Sequence, residues 1–179
     1  MALVDELKQA LGSVQEPIMA QNQNPGRSLE LQAYDGQHIP NEIDADPTAG
    51  YVALAKSDPH YQAPHQILGP PSGRYNCHGL VFGSRRTNIP SISMLTYSLA
   101  GLLQAELYVQ TGHAQLGDIV AYRDDANDIV HTGIVSRVER FGNSQVVMVW
   151  SKWGSLEECE HHLLATPYSG TQIEFWRLP

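Results

Sequence analysis

The chain has 179 residues, of which 42% are hydrophobic and 17% charged, a globular balance with enough length for one domain and a buried core. A formal net charge of -8 argues against nucleic acid or an anionic membrane surface as partner. No apolar run approaches the roughly 20 residues of a membrane-crossing helix. The two cysteines, Cys77 and Cys159, make no disulfide framework, and the first residues, with acidic Asp5 and Glu6, make no secretory signal. The chain therefore reads as made in a reduced cytoplasm, with export by a signal-independent route left open.

In chain order, Val4, Leu7 and Leu11 have helical spacing, and Gly12-Ser13 ends that helix. From about Gln15 to Gly73 the chain is rich in Pro, Gly, Gln, Asn and Asp, and reads as a long irregular arm with a helical turn near Tyr51–Lys56. A second helix is expected from Cys77 to about Arg85. A third is expected from Ile92 to Val109, with Ile92, Leu95, Leu99, Leu102, Leu103 and Leu107 as its apolar face; Pro90-Ser91 would start it and Thr111-Gly112 end it.

The texture then changes to strands, over Asp118–Tyr122, Ile129–Val138, Gln145–Ser151 and Ile173–Leu178, with a polar turn at 124–128 and another at 141–143. Helices followed by hairpin-linked strands give an α+β class, N-terminal helices packed on an antiparallel sheet, with the strand of His131 between its two hairpin neighbours. The expected organisation is one domain over 1–179, with a helix and wrapping arm over 1–73 and a core over 74–179.

The most informative stretch is Asn76-Cys77-His78-Gly79-Leu80-Val81. It sets a cysteine where a helix begins, near unpaired backbone N–H groups and the positive end of the helix dipole, a setting that favours thiolate, the nucleophilic form. Further on, Val130-His131-Thr132-Gly133-Ile134-Val135 puts a histidine at the start of a strand. Thiol hydrolysis of an amide needs a thiolate, an imidazole that carries the proton and donors for the oxyanion, and a third polar group usually orients the imidazole.

These motifs, with Gly117-Asp118-Ile119-Val120 between them, resemble the D-C-S-G-Φ-V box (Φ, apolar), G-D-Φ-V strand and H-Φ-G-I-Φ strand of the NlpC-like and CHAP-like branch of papain-fold cysteine peptidases, over roughly residues 65 to 153. The resemblance implies a papain-like (NlpC-type) core, Cys77 as nucleophile and His131 as base. It also implies an amide of a peptide, such as bacterial cell-wall peptidoglycan, as substrate, with no cofactor. Three departures stand out: Asn76 in place of Asp, His78 in place of a small Ser, and no exact counterpart of the clan's tyrosine a dozen residues before the nucleophile, where Tyr61 and Tyr75 are shifted and His65 is closest in count. Ser151, at the end of the strand after His131, is the first choice as orienting group; His161 and His162 compete. Ser151-Lys152-Trp153-Gly154, Glu160-His161-His162 and Pro167-Tyr168 look like a signature of small bacterial members of the clan.

Blander readings stand beside these. Cys77 could be an inert buried thiol, His131 a core histidine, and His78 a packing neighbour of the helix. Arg85-Arg86 could meet an acidic substrate group or be a solvated helix end. Cys159-Glu160-His161-His162 with Cys77 raises a metal site, but lacks paired ligand spacing, and Asp124, Asp125 and Asp128 lack the spacing of a calcium loop. A non-catalytic scaffold that keeps the fold, or a deamidase or acyltransferase with the same dyad, are the alternative functions. A protein partner or immunity-type inhibitor is left unidentified.

Overall fold

The computed structural model of the protein describes residues 25–63, 65–90, 99–142, 144–168 and 172–179. The helix expected at Val4–Leu11 and the start of the third helix, at 92–98, lie outside the described residues. The architecture is mixed: helices α1 (Ala49–Ser57), α2 (Cys77–Phe82) and α3 (Leu99–Ala105), and strands β1 (His65–Gly69), β2 (Val109–Thr111), β3 (Ile119–Arg123), β4 (Ile129–Phe141), β5 (Ser144–Lys152), β6 (Glu158–His162) and β7 (Gln172–Arg177). The strands form one sheet in the order β1-β6-β5-β4-β3-β7-β2, and every pairing is antiparallel. Strand β4 is therefore central, hydrogen-bonded to β3 and β5. Among the described residues no helix is long and apolar enough to cross a membrane.

Alternation along the strands gives the sheet two apolar faces. Ile119, Ala121 and Trp176 face a layer built by Leu99, Leu102 and Leu103 of α3, Ile89, Leu31 and Ile39, with Val81 and Phe82 of α2 at its border. On the other face Val120, Tyr122, Val135 and Val149 form a second cluster with Ile173 and Phe175. Next to it Trp153, Leu156 and Cys159 are capped by Val52 and Ala55 of α1, Tyr61 and Tyr168.

The arm is more regular than its composition suggests. Thr48 caps α1, its hydroxyl accepting from Tyr51 N, and a 3-10 turn (Pro59–Gln62) follows. Strand β1 then pairs with β6, through His65 to His161 and Ile67 to Cys159. Upstream, Ile39 N donates to Leu31 O and Asn41 bridges Leu29 and Thr87, so the arm is fastened by its own backbone and one buried amide.

Two helices are shorter than expected. Helix α2 stops at Phe82 rather than near Arg85, because Gly83 caps it and Ser84 and Arg85 take left-handed backbone conformations (φ 50° and 60°). Helix α3 stops at Ala105 rather than Val109: Leu107 sits at φ 65° and is half exposed, and Val109–Thr111, read as helix end and stop, pairs with β7 instead. The segment Glu158–His162, given no element by the sequence reading, is a strand between β5 and β1.

Candidate active site

Asn76 builds the start of α2. Its Oδ1 accepts from Gly79 N (2.8 Å) and Ile89 N (3.1 Å), and its Nδ2 donates to Ile89 O (2.7 Å). One side chain thus caps the helix and ties it to the 87–89 segment. Gly79 permits that approach: a Cβ there would lie 1.9 Å from Thr87 O.

Cys77 is the first residue of α2 and is buried, 5% exposed. Burial pushes its thiol up to about 11, while the N–H groups of Thr132, His78 and Cys77 itself, and the charge of Lys152, pull the other way. The helix start supplies the expected donors, but desolvation outweighs them, so the resting group is a thiol. Cys159 is likewise held up, to about 12, chiefly by burial. Both cysteines are free.

His131 sits where β4 gains a residue. Tyr122 pairs with His131, but Arg123 pairs with Ile129, so Val130 is a bulge that re-aims the strand start. The imidazole is fully buried and lies under Tyr168, ring centroids 4.0 Å apart and 7° from parallel, with Tyr122 at 5.3 Å. Burial, then the neighbouring His161 and His78, hold its pKa well below the usual histidine value. Among the described residues neither ring nitrogen has a hydrogen-bond partner. Thr132, the next residue, turns its hydroxyl to the buried His78 Nδ1 (3.0 Å) and its backbone N–H toward the Cys77 sulfur. Cys77 and His131 are thus brought to the two sides of one residue of β4, without a hydrogen bond between sulfur and imidazole.

The expected orienting bond from Ser151 to His131 is not made. Ser151 Oγ pairs with His161 Nε2 (2.8 Å), and His161 Nδ1 meets His162 O (2.8 Å). His162 Nδ1 accepts from Leu164 N (3.2 Å). Register explains the difference: Ser151 lies opposite Gly133, two residues past His131, and opposite Cys159 on the other side, so its hydroxyl is nearer the β6 histidine. The three candidates for orienting His131 bond elsewhere.

Three contributors were not singled out from sequence as site residues. Tyr168 covers His131. Lys152 is buried with its ammonium among three carbonyls. Glu158 accepts from Tyr75 Oη, Trp150 Nε1 (2.8 Å) and Arg85 Nε (3.1 Å), beneath an Arg85 guanidinium stacked 4.1 Å over the Trp150 ring. The available signal was the Ser151–Gly154 run: a lysine ending an apolar strand and flanked by tryptophans is a candidate for burial. The 124–128 turn closes on Asp124, whose Oδ1 accepts from Ala126 N and Asp128 N. Among the described residues no group of three His, Cys, Asp or Glu side chains is placed to hold a metal ion. Comparison with protein-family models, curated proteins and solved structures found no match.

Proposed function

We propose that the protein is a cysteine hydrolase with a papain-like, NlpC-type core, cleaving an amide bond in a peptide, with bacterial cell-wall peptide as the leading substrate class. The observation that carries this reading is the imidazole of His131: wholly buried, both nitrogens without a partner among the described residues, one residue from the backbone N–H that faces the Cys77 sulfur. An unsatisfied buried polar group costs on the order of 1–3 kcal/mol, and such groups are retained where chemistry uses them.

The chemistry follows from a neutral pair. His131 takes the thiol proton as the sulfur attacks the substrate carbonyl carbon, and N–H groups at the start of α2 receive the oxyanion. The imidazolium then protonates the departing amine, and water attacks the thioester with His131 again as base, releasing the acid and the thiol. A deamidase or acyltransferase would share the first half and differ in the leaving group or acceptor.

A second reading, a scaffold that keeps the fold without catalysis, is favoured by the burial and raised pKa of Cys77. Incubation of wild type, Cys77→Ala and His131→Ala with purified wall peptides and with a proteome digest, read by mass spectrometry, separates them. New termini or a loss of ammonia with wild type alone supports the hydrolase. Identical product profiles from all three, with Cys77 alkylated by iodoacetamide no faster than Cys159, support the scaffold.

A further inference from the structure

Lys152 is the least expected buried group in the protein. Its side chain leaves the end of β5 and is shielded from water. The ammonium donates to Ser72 O (3.0 Å), Gly154 O (3.2 Å) and Leu156 O, which uses all three of its hydrogens on backbone carbonyls. The carbonyls come from two loops: the 70–73 segment that leads into Tyr75, Asn76 and Cys77, and the turn between β5 and β6. Ser72 N donates in return to Ser155 O (2.9 Å), so the loops are stitched twice. The ammonium also lies 5.2 Å from the centre of the Tyr75 ring.

A buried amine costs several kcal/mol as a cation, and neutral carbonyls alone do not cancel its charge. Burial lowers the pKa of the Lys152 ammonium to about 8; Glu158, Glu157, Cys77 and Asp46 pull the other way and favour the cation, and the lysine in turn favours the thiolate of Cys159 as well as that of Cys77. Glu157 is tied to Lys56, Glu158 to Arg85, Tyr75 and Trp150, and Asp46 accepts from Ser72 Oγ and Gly73 N. Cys77 differs from these carboxylates: it gains its negative charge only when the thiol loses its proton. Tyr168, His78 and His131, the further ionisable groups near Cys77, are pushed toward their neutral forms chiefly by burial.

We propose that Lys152 is a positioning residue for Cys77: the carbonyl cage fixes a cation against the loop that leads into the nucleophile, so that the charge appearing on sulfur finds its counter-ion already in place, and the same cage fixes the loop that aims Cys77. The inference rests on Cys77 being the nucleophile. In water a lysine would be mobile and its field screened; held in a dry cage its field is less screened, and it costs no reorganisation when the thiolate forms.

The test is the titration of Cys77, followed by thiolate ultraviolet absorbance and by the pH profile of alkylation, in a Cys159→Ser background without substrate. Removing the cation in Lys152→Met is expected to raise the Cys77 titration midpoint and slow alkylation at fixed pH by roughly tenfold or more, since a midpoint higher by about one pH unit leaves a tenth of the thiolate. Lys152→Arg, which keeps the charge, should restore most of the wild-type profile. Lys152→Gln removes the charge while keeping N–H donors for the cage, and carries the same comparison if the Met variant does not fold. Unchanged Cys77 titration in the folded charge-free variants overturns the proposal, as does an Arg variant as slow as Met. A shifted titration in a protein that cleaves nothing in the peptide screen leaves Lys152 as the counter-ion and removes the hydrolase reading instead.

Discussion

Tyr168 lies flat on His131, with ring planes 7° apart, and a charge on Cys77 works with burial to keep its phenol neutral. One side chain thus roofs the histidine and reaches the field of the sulfur. Its own position is fixed from the arm, since Tyr61 hydrogen-bonds it and joins it in covering Trp153.

Removing that roof should be felt in two readouts. Tyr168→Ala is expected to cost about 3 kcal/mol by urea denaturation, the usual loss on emptying a large aromatic site. It should also wet His131 and raise its pKa toward the ordinary value, seen by NMR of the ring protons. Tyr168→Phe keeps the stack and loses one hydrogen bond, so a loss of only about 1 kcal/mol and an unshifted His131 are expected.

Asn76 should resist replacement by the aspartate that the resembling family carries. Its amide both accepts at the helix start and donates to Ile89 O, and a carboxylate can do only the first. Asn76→Asp would set a negative oxygen against a carbonyl, and a loss of about 2 kcal/mol is expected from thermal or urea melts. A neutral or stabilising Asp would show that the helix-end charge effect outweighs the lost donor.

Gly79→Ala reverses the usual sign of helix propensity. In an exposed helix the change would gain up to about 1 kcal/mol. Here the new methyl would sit 1.9 Å from Thr87 O, a backbone atom that Asn41 and Asn76 help to hold through its neighbours. A destabilisation beyond about 2 kcal/mol, or failure to fold, is the expected result, measured by melting temperature and soluble yield.

Acid should unfold the protein through its histidines. Burial lowers His78 from 6.5 to about 4, and His131 and His161 are lowered as well, again chiefly by burial. The unfolded chain binds these protons first, so stability is full above the unfolded pKa and falls as pH drops from 6.5 toward 4. His78 alone accounts for about 3 kcal/mol across that window. Urea midpoints measured down this range should fall steeply, and His78→Gln, which keeps a partner for Thr132, should flatten the slope.

The sequence carried the sheet well and the arm poorly. Strands β3, β4, β5 and β7 lie within two or three residues of their expected ends, because β-branched runs between polar turns have few other solutions. Strand β4 was expected between its hairpin neighbours and sits between them. Strands β1 and β6 were missed because Gln, Glu, Cys and His carry no strand signature; their pairing is long-range and depends on each other. At the site, the motif pattern named Cys77 as nucleophile and His131 as base; the structure sets the Cys77 sulfur against the backbone N–H of Thr132, the residue after His131. The orienting bond was misread because strand order gives neighbours but not register: Ser151 lies opposite Gly133, two residues past His131, and its hydroxyl meets His161 instead.

The stitches around Lys152 have a consequence for how the protein is made. The loop that aims Cys77 is held by residues about 80 positions later, through Ser72 with Lys152 and Tyr75 with Glu158. Contacts of such separation close late, after the entropy of a long loop has been lost. A chain emerging from the ribosome therefore exposes Cys77 without Lys152 and without β6, in a segment whose long-range partners have not yet been made. The surroundings of Cys77 come into being only once the chain has been made through β6, so a chain stopped earlier would carry the cysteine but not the contacts around it.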